Sequence, residues 1–206
     1  SGDVVAFGSL FRHFAPNPRL YETGQATVIP DYRGTLAVLC IQEFLFTQAA
    51  AGVEVAAIMG EPVCNHLTMQ KISEIFGFHV TGVELGLMPG ETYNKGDGSG
   101  GRITTLFTFK VLDRAPGETH LPAPYEALLR NFCARLSLDR AFRPCADRPA
   151  PGTVSDLAVA RFDQMQAVRV SLHSAGADFP ARLAELEAGE DARGTLVRQY
   201  FLNLGD

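Results

Sequence analysis

The chain predicts an α/β (α+β) fold, a mixed and centrally twisted sheet flanked by helices, and three observations carry that expectation. Residues 20–82 alternate short apolar or β-branched runs with stretches free of Gly and Pro, reading strand, turn, helix, strand, helix, strand. A Gly-rich segment, 89–101, separates two extended runs, 78–87 and 102–112, as in an antiparallel hairpin with a long loop. The tail, from 153 to 206, reads strand, strand, helix, strand, too short for a core of its own and therefore expected to pack on the first unit.

Each element has a local reason. Residues 3–14 form an apolar strand closed by Pro16-Asn17-Pro18, which would hairpin with the strand 20–29. Pro30-Asp31 stops that strand, because proline cannot donate to a ladder. Tyr32-Arg33-Gly34 then turns into a helix over 36–51 ended by Gly52, and 53–59 is an apolar run of strand length. A helix over 65–76 follows, with Asn65 as its N-cap, Gly77 as its terminator, and Met69, Ile72, Ile75 and Phe76 as its core face. Residues 114–152 read as a Pro-rich linker holding one helix, 125–138, between a first unit at 1–113 and a last at 153–206. In the tail the strands are 154–162, 167–173 and 196–202, and the helix 178–188 is capped by Asp178 and ended by Gly189. No internal repeat at a fixed period is visible, although the order of the tail suits a diverged half of a second copy.

Composition narrows the function. The 206 residues are 46% hydrophobic, enough for one sizeable core. A net charge of −5 argues against a general nucleic-acid binder or an anionic-membrane binder. The four cysteines (Cys40, Cys64, Cys133, Cys145) are widely spaced without a C-x-x-C, so no metal site is expected and reduced thiols in a cytoplasmic protein are the simplest reading. No apolar run reaches membrane-spanning length, and the start, with no basic stretch and no initiator Met, reads as a junction within a longer polypeptide.

The sequence PDYRG after a strand, with Asn65 followed by Phe76-Gly77-Phe78, resembles the core of the GNAT superfamily of N-acetyltransferases. The run 31–87 is most similar to GNAT-like regions that accompany anti-sigma-factor-type ATP-binding domains in bacterial regulatory proteins. The resemblance implies an acetyl-CoA site built from Val28, Ile29, Arg33, Gly34, Thr35 and Asn65, and an amine or peptide as acceptor. It also implies a carboxylate on the strand 20–29 as general base, for which Glu22 is the candidate; His13 could act likewise, since an imidazole titrates near neutral pH. For both, a solvent-facing structural role is the favoured reading, because spacing alone cannot aim a base at an amine. The family's first strand and two helices are missing before residue 3, so a preceding domain, a partner, or the tail would have to fill that place.

Two departures bear on activity. Leu36 and Val38 stand where the family's pyrophosphate loop has small residues, which let backbone N–H groups approach a phosphate. Ser73 stands where the family often has a tyrosine that protonates the leaving thiolate, and a serine hydroxyl is too weak an acid for that work. Cys64-Asn65-His66 invites a thiol-nucleophile reading, but adjacent helical residues do not face each other, so Cys64 reads as a buried junction residue. Two expectations stand side by side: an acyl-CoA-dependent N-acyltransferase domain with an eroded loop and little or no activity, or a non-catalytic module that senses a ligand or docks a partner in a signalling protein.

Overall fold

The computed structural model describes residues 2–12, 18–92, 101–145 and 152–203. His13, and Lys95 and Asp97 of the Gly-rich loop, lie outside them. Strands β1 (Ala6–Phe11) and β2 (Leu20–Val28) pair antiparallel, with Ala6 opposite Val28 and Phe11 opposite Glu22. Helix α1 (Ala37–Phe44) runs on into a π turn over Leu45–Ala49, where the consecutive residues Leu45 and Phe46 are both buried. It leads to β3 (Ala57–Gly60), which lies parallel to β2 with Leu20 opposite Ala57. Then come α2 (Thr68–Ile75), β4 (His79–Pro89) and β5 (Arg102–Val111). The sheet order is β1-β2-β3-β5-β4, mixed, with one parallel pair at its centre. The expected mixed sheet with its parallel strand-helix-strand unit is therefore present.

Alternation along the strands gives the sheet two faces with different covers. On one face Ile58 (0% exposed) meets Leu45, Phe46 and Phe78, and Phe46 packs edge-on to Phe76 at 5.4 Å. Helices α1 and α2 supply this cover by burying their apolar sides. On the other face Leu20 and Met59 are buried with Phe107, Phe109 and Phe201 around them.

Phe201 belongs to the tail, which forms a second sheet from β8 (Asp156–Phe162), β9 (Ala167–Ser174) and β10 (Val197–Leu202). Before it come β6 (Gly117–Leu121), α3 (Glu126–Arg135) and β7 (Arg140–Pro144), with β6 and β7 paired in parallel. Only the helix of this segment is expected from the sequence; strands of five residues flanked by Pro and Gly carry too little periodicity to read. In the tail β8 and β9 pair antiparallel, and β9 and β10 pair in parallel across α4 (Phe179–Arg193). That is the same β-β-α-β order and the same pairing as β1, β2, α1 and β3.

Four local expectations are corrected. Helix α2 begins at Thr68 rather than Asn65, and Leu67 holds the cap position without a side-chain bond. Instead the Gln70 side chain reaches back and donates to the carbonyls of Val63 and His66, at 2.9 and 3.0 Å, which fixes the entry without a cap. Ile75 is 70% exposed, because the helix turns Met69, Ile72, Ser73 and Phe76 inward and Ile75 away. Asp178 sits at the N-cap of α4, but its carboxylate accepts from the Ser155 N–H and hydroxyl, both at 2.7 Å. Finally, α4 passes through Gly189 and ends at Gly194 (φ +74°), because Glu190 beyond Gly189 is buried between Thr195 and Arg161.

Candidate functional site

The pairing of β2 with β3 stops at Thr23 opposite Gly60, while β2 continues to Val28 on β1 alone. The two parallel strands thus part at their carboxyl ends, where open α/β sheets place ligands. A cavity of about 550 Å³ occupies the gap, and residues from both faces of the sheet reach it: Glu22, Gln42, Glu61, Ser73, Arg169 and Gln199. Ser73 lies on α2, so the position expected to carry a general acid does line the cavity.

Glu22 is brought to this cleft, with only 12% of its side chain exposed, and it is engaged there. The guanidinium of Arg169 on β9, itself 4% exposed, donates to Glu22 Oε2 at 3.1 Å and to Glu61 Oε1 at 3.2 Å. Its Nε donates to Gln199 Oε1 at 2.8 Å, and its Cζ lies over the rings of Phe162 and Phe201, 5.4 and 5.1 Å from their centroids. Gln199 in turn donates to Glu61 at 3.2 Å and to Glu84, whose other oxygen accepts from Thr105 at 3.4 Å. Two carboxyl groups, from β2 and the end of β3, thus share one guanidinium, and a third, from β4, joins them through Gln199. Burial first, then the facing Glu22 and Glu84 charges, push the Glu61 carboxyl up to about 8, with Arg169 pulling the other way. The cluster therefore holds a proton more tightly than isolated carboxyls would, with Glu61 the most desolvated of them.

The residues expected to hold acetyl-CoA lie, Asn65 apart, at the end of β2 and in the turn to α1, and many of their polar groups are already paired. The Ile29 amide donates to Val5 O at 3.0 Å, and the Val28 carbonyl accepts from Arg33 Nε at 3.1 Å. The amides of Tyr32, Arg33 and Thr35 donate to Ile29, Pro30 and Tyr32 carbonyls, and the Ala37 amide goes to Thr35 Oγ1 at 3.2 Å. Gly34 takes φ +82°, which closes this tight turn on itself. Leu36 stands 68% exposed at the start of α1. A pyrophosphate needs free N–H groups at a helix start and small residues that let it approach them; this turn spends four amides within itself and places Leu36 and Val38 at the start of α1, so it fits one poorly. Asn65 lies exposed in the turn before α2. Cys64 beside it is exposed as well, not buried as the junction reading expects, because α2 begins four residues later and leaves this turn at the surface.

Sequence reasoning found Glu22 and missed Glu61, Glu84, Arg169 and Gln199. One signal was present: β9 is buried from Ala167 to Ser171, and an arginine inside such an apolar strand must meet a counter-charge. The sequence does not say which.

Among the described residues no helix is long and apolar enough to cross a membrane. No family model and no curated protein matches the chain. Among solved structures it is similar to a ribosomal-protein-alanine N-acetyltransferase from Brucella melitensis, at 20% identity and TM-score 0.44, covering 54% of this chain and 64% of that one. It is likewise similar to a ribosomal-protein alanine N-acetyltransferase from Escherichia coli (17%, TM-score 0.44, 55% and 65%) and to an N-acetyltransferase from Staphylococcus aureus (18%, TM-score 0.43, 54% and 63%). The chain spans less than two thirds of the length of each, and the likeness, one of chain path over about half of this protein, says nothing of its activity.

Proposed function

We propose that the chain is a GNAT-like domain that has lost efficient acyl-CoA chemistry and serves as a ligand-sensing or partner-docking module of a bacterial regulatory protein in the cytoplasm. The observation that carries this reading is the turn between β2 and α1, which spends the amides of Tyr32, Arg33, Thr35 and Ala37 within itself and sets Leu36 and Val38 where a pyrophosphate would need small residues. The engagement of Glu22 by Arg169 supports it, since one of the two oxygens of the candidate base is held by a buried guanidinium rather than presented to an acceptor. Ser73 supports it again, because a serine cannot protonate a leaving thiolate at neutral pH.

A second reading is a slow acyl-CoA-dependent N-acyltransferase acting on an amine or peptide. One feature favours it: β2 and β3 still part beside Glu22 and leave a cavity there. Calorimetric titration with acetyl-CoA, beside an Arg33→Ala control, separates the two. The module reading expects no heat of binding up to about millimolar ligand, a free energy of about −4 kcal/mol. Micromolar binding that disappears in Arg33→Ala would establish a working cofactor site and overturn it.

A further inference from the structure

The face of the five-stranded sheet that meets the tail changes character along β2. At the amino end of β2 and β3, Leu20 and Met59 pack with Phe107, Phe109 and Phe201, a dry contact across the two sheets. Two residues further along the same face, Glu22 and Glu61 meet Arg169, and Gln199 bridges Glu61 to Glu84. Beyond that lies the cavity, lined on one side by Phe11 and Met69 and on the other by Phe162 and Met165 of the tail. Apolar contact, polar bonds and empty volume thus follow one another in a line.

The dry contact and the polar bonds differ in how readily they part. Apolar packing is lost in proportion to area and has no good substitute in water. The acidic groups and the guanidinium recover strong hydration when separated, and two carboxyl groups on one guanidinium, with a third reached through Gln199, gain little from staying buried. A second polar contact sits nearby: Arg102 donates to the Gly86 and Leu87 carbonyls of β4 and to the Met165 carbonyl of the tail, the last two at 2.8 and 2.7 Å.

We propose that the tail is a hinged cover over the cavity, pivoting at Phe201 and fastened by Arg169, so that the closed form occupies Glu22 and the open form frees both Glu22 and the cavity. In the closed form Arg169 is an autoinhibitory contact: it takes Oε2 of Glu22 and Oε1 of Glu61 from within the same chain. Its role is positional, since it acts through the carboxylates it holds. Opening is independent of which ligand the cavity takes.

The test is thiol labelling at the cavity wall. Ser73→Cys places a thiol of nearly the same size on α2 at the lining, and Cys133 on α3, which contributes nothing to the cavity, reports general loosening. Maleimide labelling of both positions is followed by mass spectrometry with Arg169 intact and with Arg169→Met. The cover predicts that position 73 labels about ten-fold faster or more in the Met variant, with Cys133 unchanged. Equal acceleration at both thiols, or none at either, would overturn it. Should Arg169→Met not fold, Glu22→Gln, which keeps the shape and weakens the charge-assisted bond, decides by the same two rates. Labelling reads the opening itself, so its failure would leave the outcome of the acetyl-CoA titration unaffected.

Discussion

In the unfolded chain the Glu61 carboxyl titrates near 4.5, and in the fold burial and the facing carboxylates raise it to about 8. The folded state therefore binds more protons between those values, and its stability falls as pH climbs through that window, levelling off above it. Glu190 works in the opposite sense. The Thr195 hydroxyl first, and Arg161 second, lower its pKa, so its contribution is present above the unfolded value and lost as pH falls. Urea midpoints between pH 5 and 8 should decline in the wild type, and Glu61→Gln should flatten that decline. An unchanged slope in the Gln variant would mean that Glu61 is not the group that titrates. Of these residues only Glu22 was legible in the sequence, because its strand is strongly patterned and its neighbours there are local. Arg169 is 147 residues away from it, and pattern within a strand carries no information about which distant strand lies opposite.

At the scale of the element, α4 offers a paired test. Gly189 sits within the helix, exposed, with open space around a would-be Cβ, so Gly189→Ala should stabilise by about 1 kcal/mol through helix propensity. Gly194 holds the left-handed C-cap at φ +74°, so Gly194→Ala should destabilise by about 1 kcal/mol. Denaturant unfolding of the two variants checks both signs at once. If Gly189→Ala lost stability instead, the helix would end where the sequence placed its terminator. That misplacement has a physical cause. Two glycines on the same helix are equally good stop signals by type, and the choice between them is made by Glu190, whose buried bonds to Arg161 and Thr195 draw the helix onward. Asn65 fails as a cap for a similar reason, since Gln70 ties down the carbonyls of Val63 and His66 and so fixes the turn ahead of α2 in a path that starts the helix at Thr68.

Across the whole molecule, the tail covers the sheet face opposite α1 and α2, and Phe201 is the apolar residue through which it docks. Phe201→Ala should lower stability by about 2 to 4 kcal/mol, less than a fully buried phenylalanine because its side chain is only partly covered. Thermal unfolding monitored on both sheets would show the loss, and a change below about 0.5 kcal/mol would remove Phe201 as the pivot. The tail also repeats the β-β-α-β order of the first unit, with Arg169 as the third residue of β9 and Glu22 as the third of β2. The two residues bond to each other across the sheets. A sequence comparison at a fixed period misses this likeness because only the pairing pattern is shared.

The sequence by itself determined the strands of the first sheet and of the tail, the two helices behind the first sheet, the mixed topology and the loss of small residues from the loop before α1. Those features follow from local periodicity, from Gly and Pro, and from side-chain volume, all of which are written within a few residues of where they act. Only the tertiary structure decided that four amides of the loop are spent within the turn, that the tail lies over the cleft, and that Arg169 takes the carboxylate singled out as a base. Each of these depends on which distant surfaces meet, and burial there changes the charge state and the availability of groups that look ordinary in the chain.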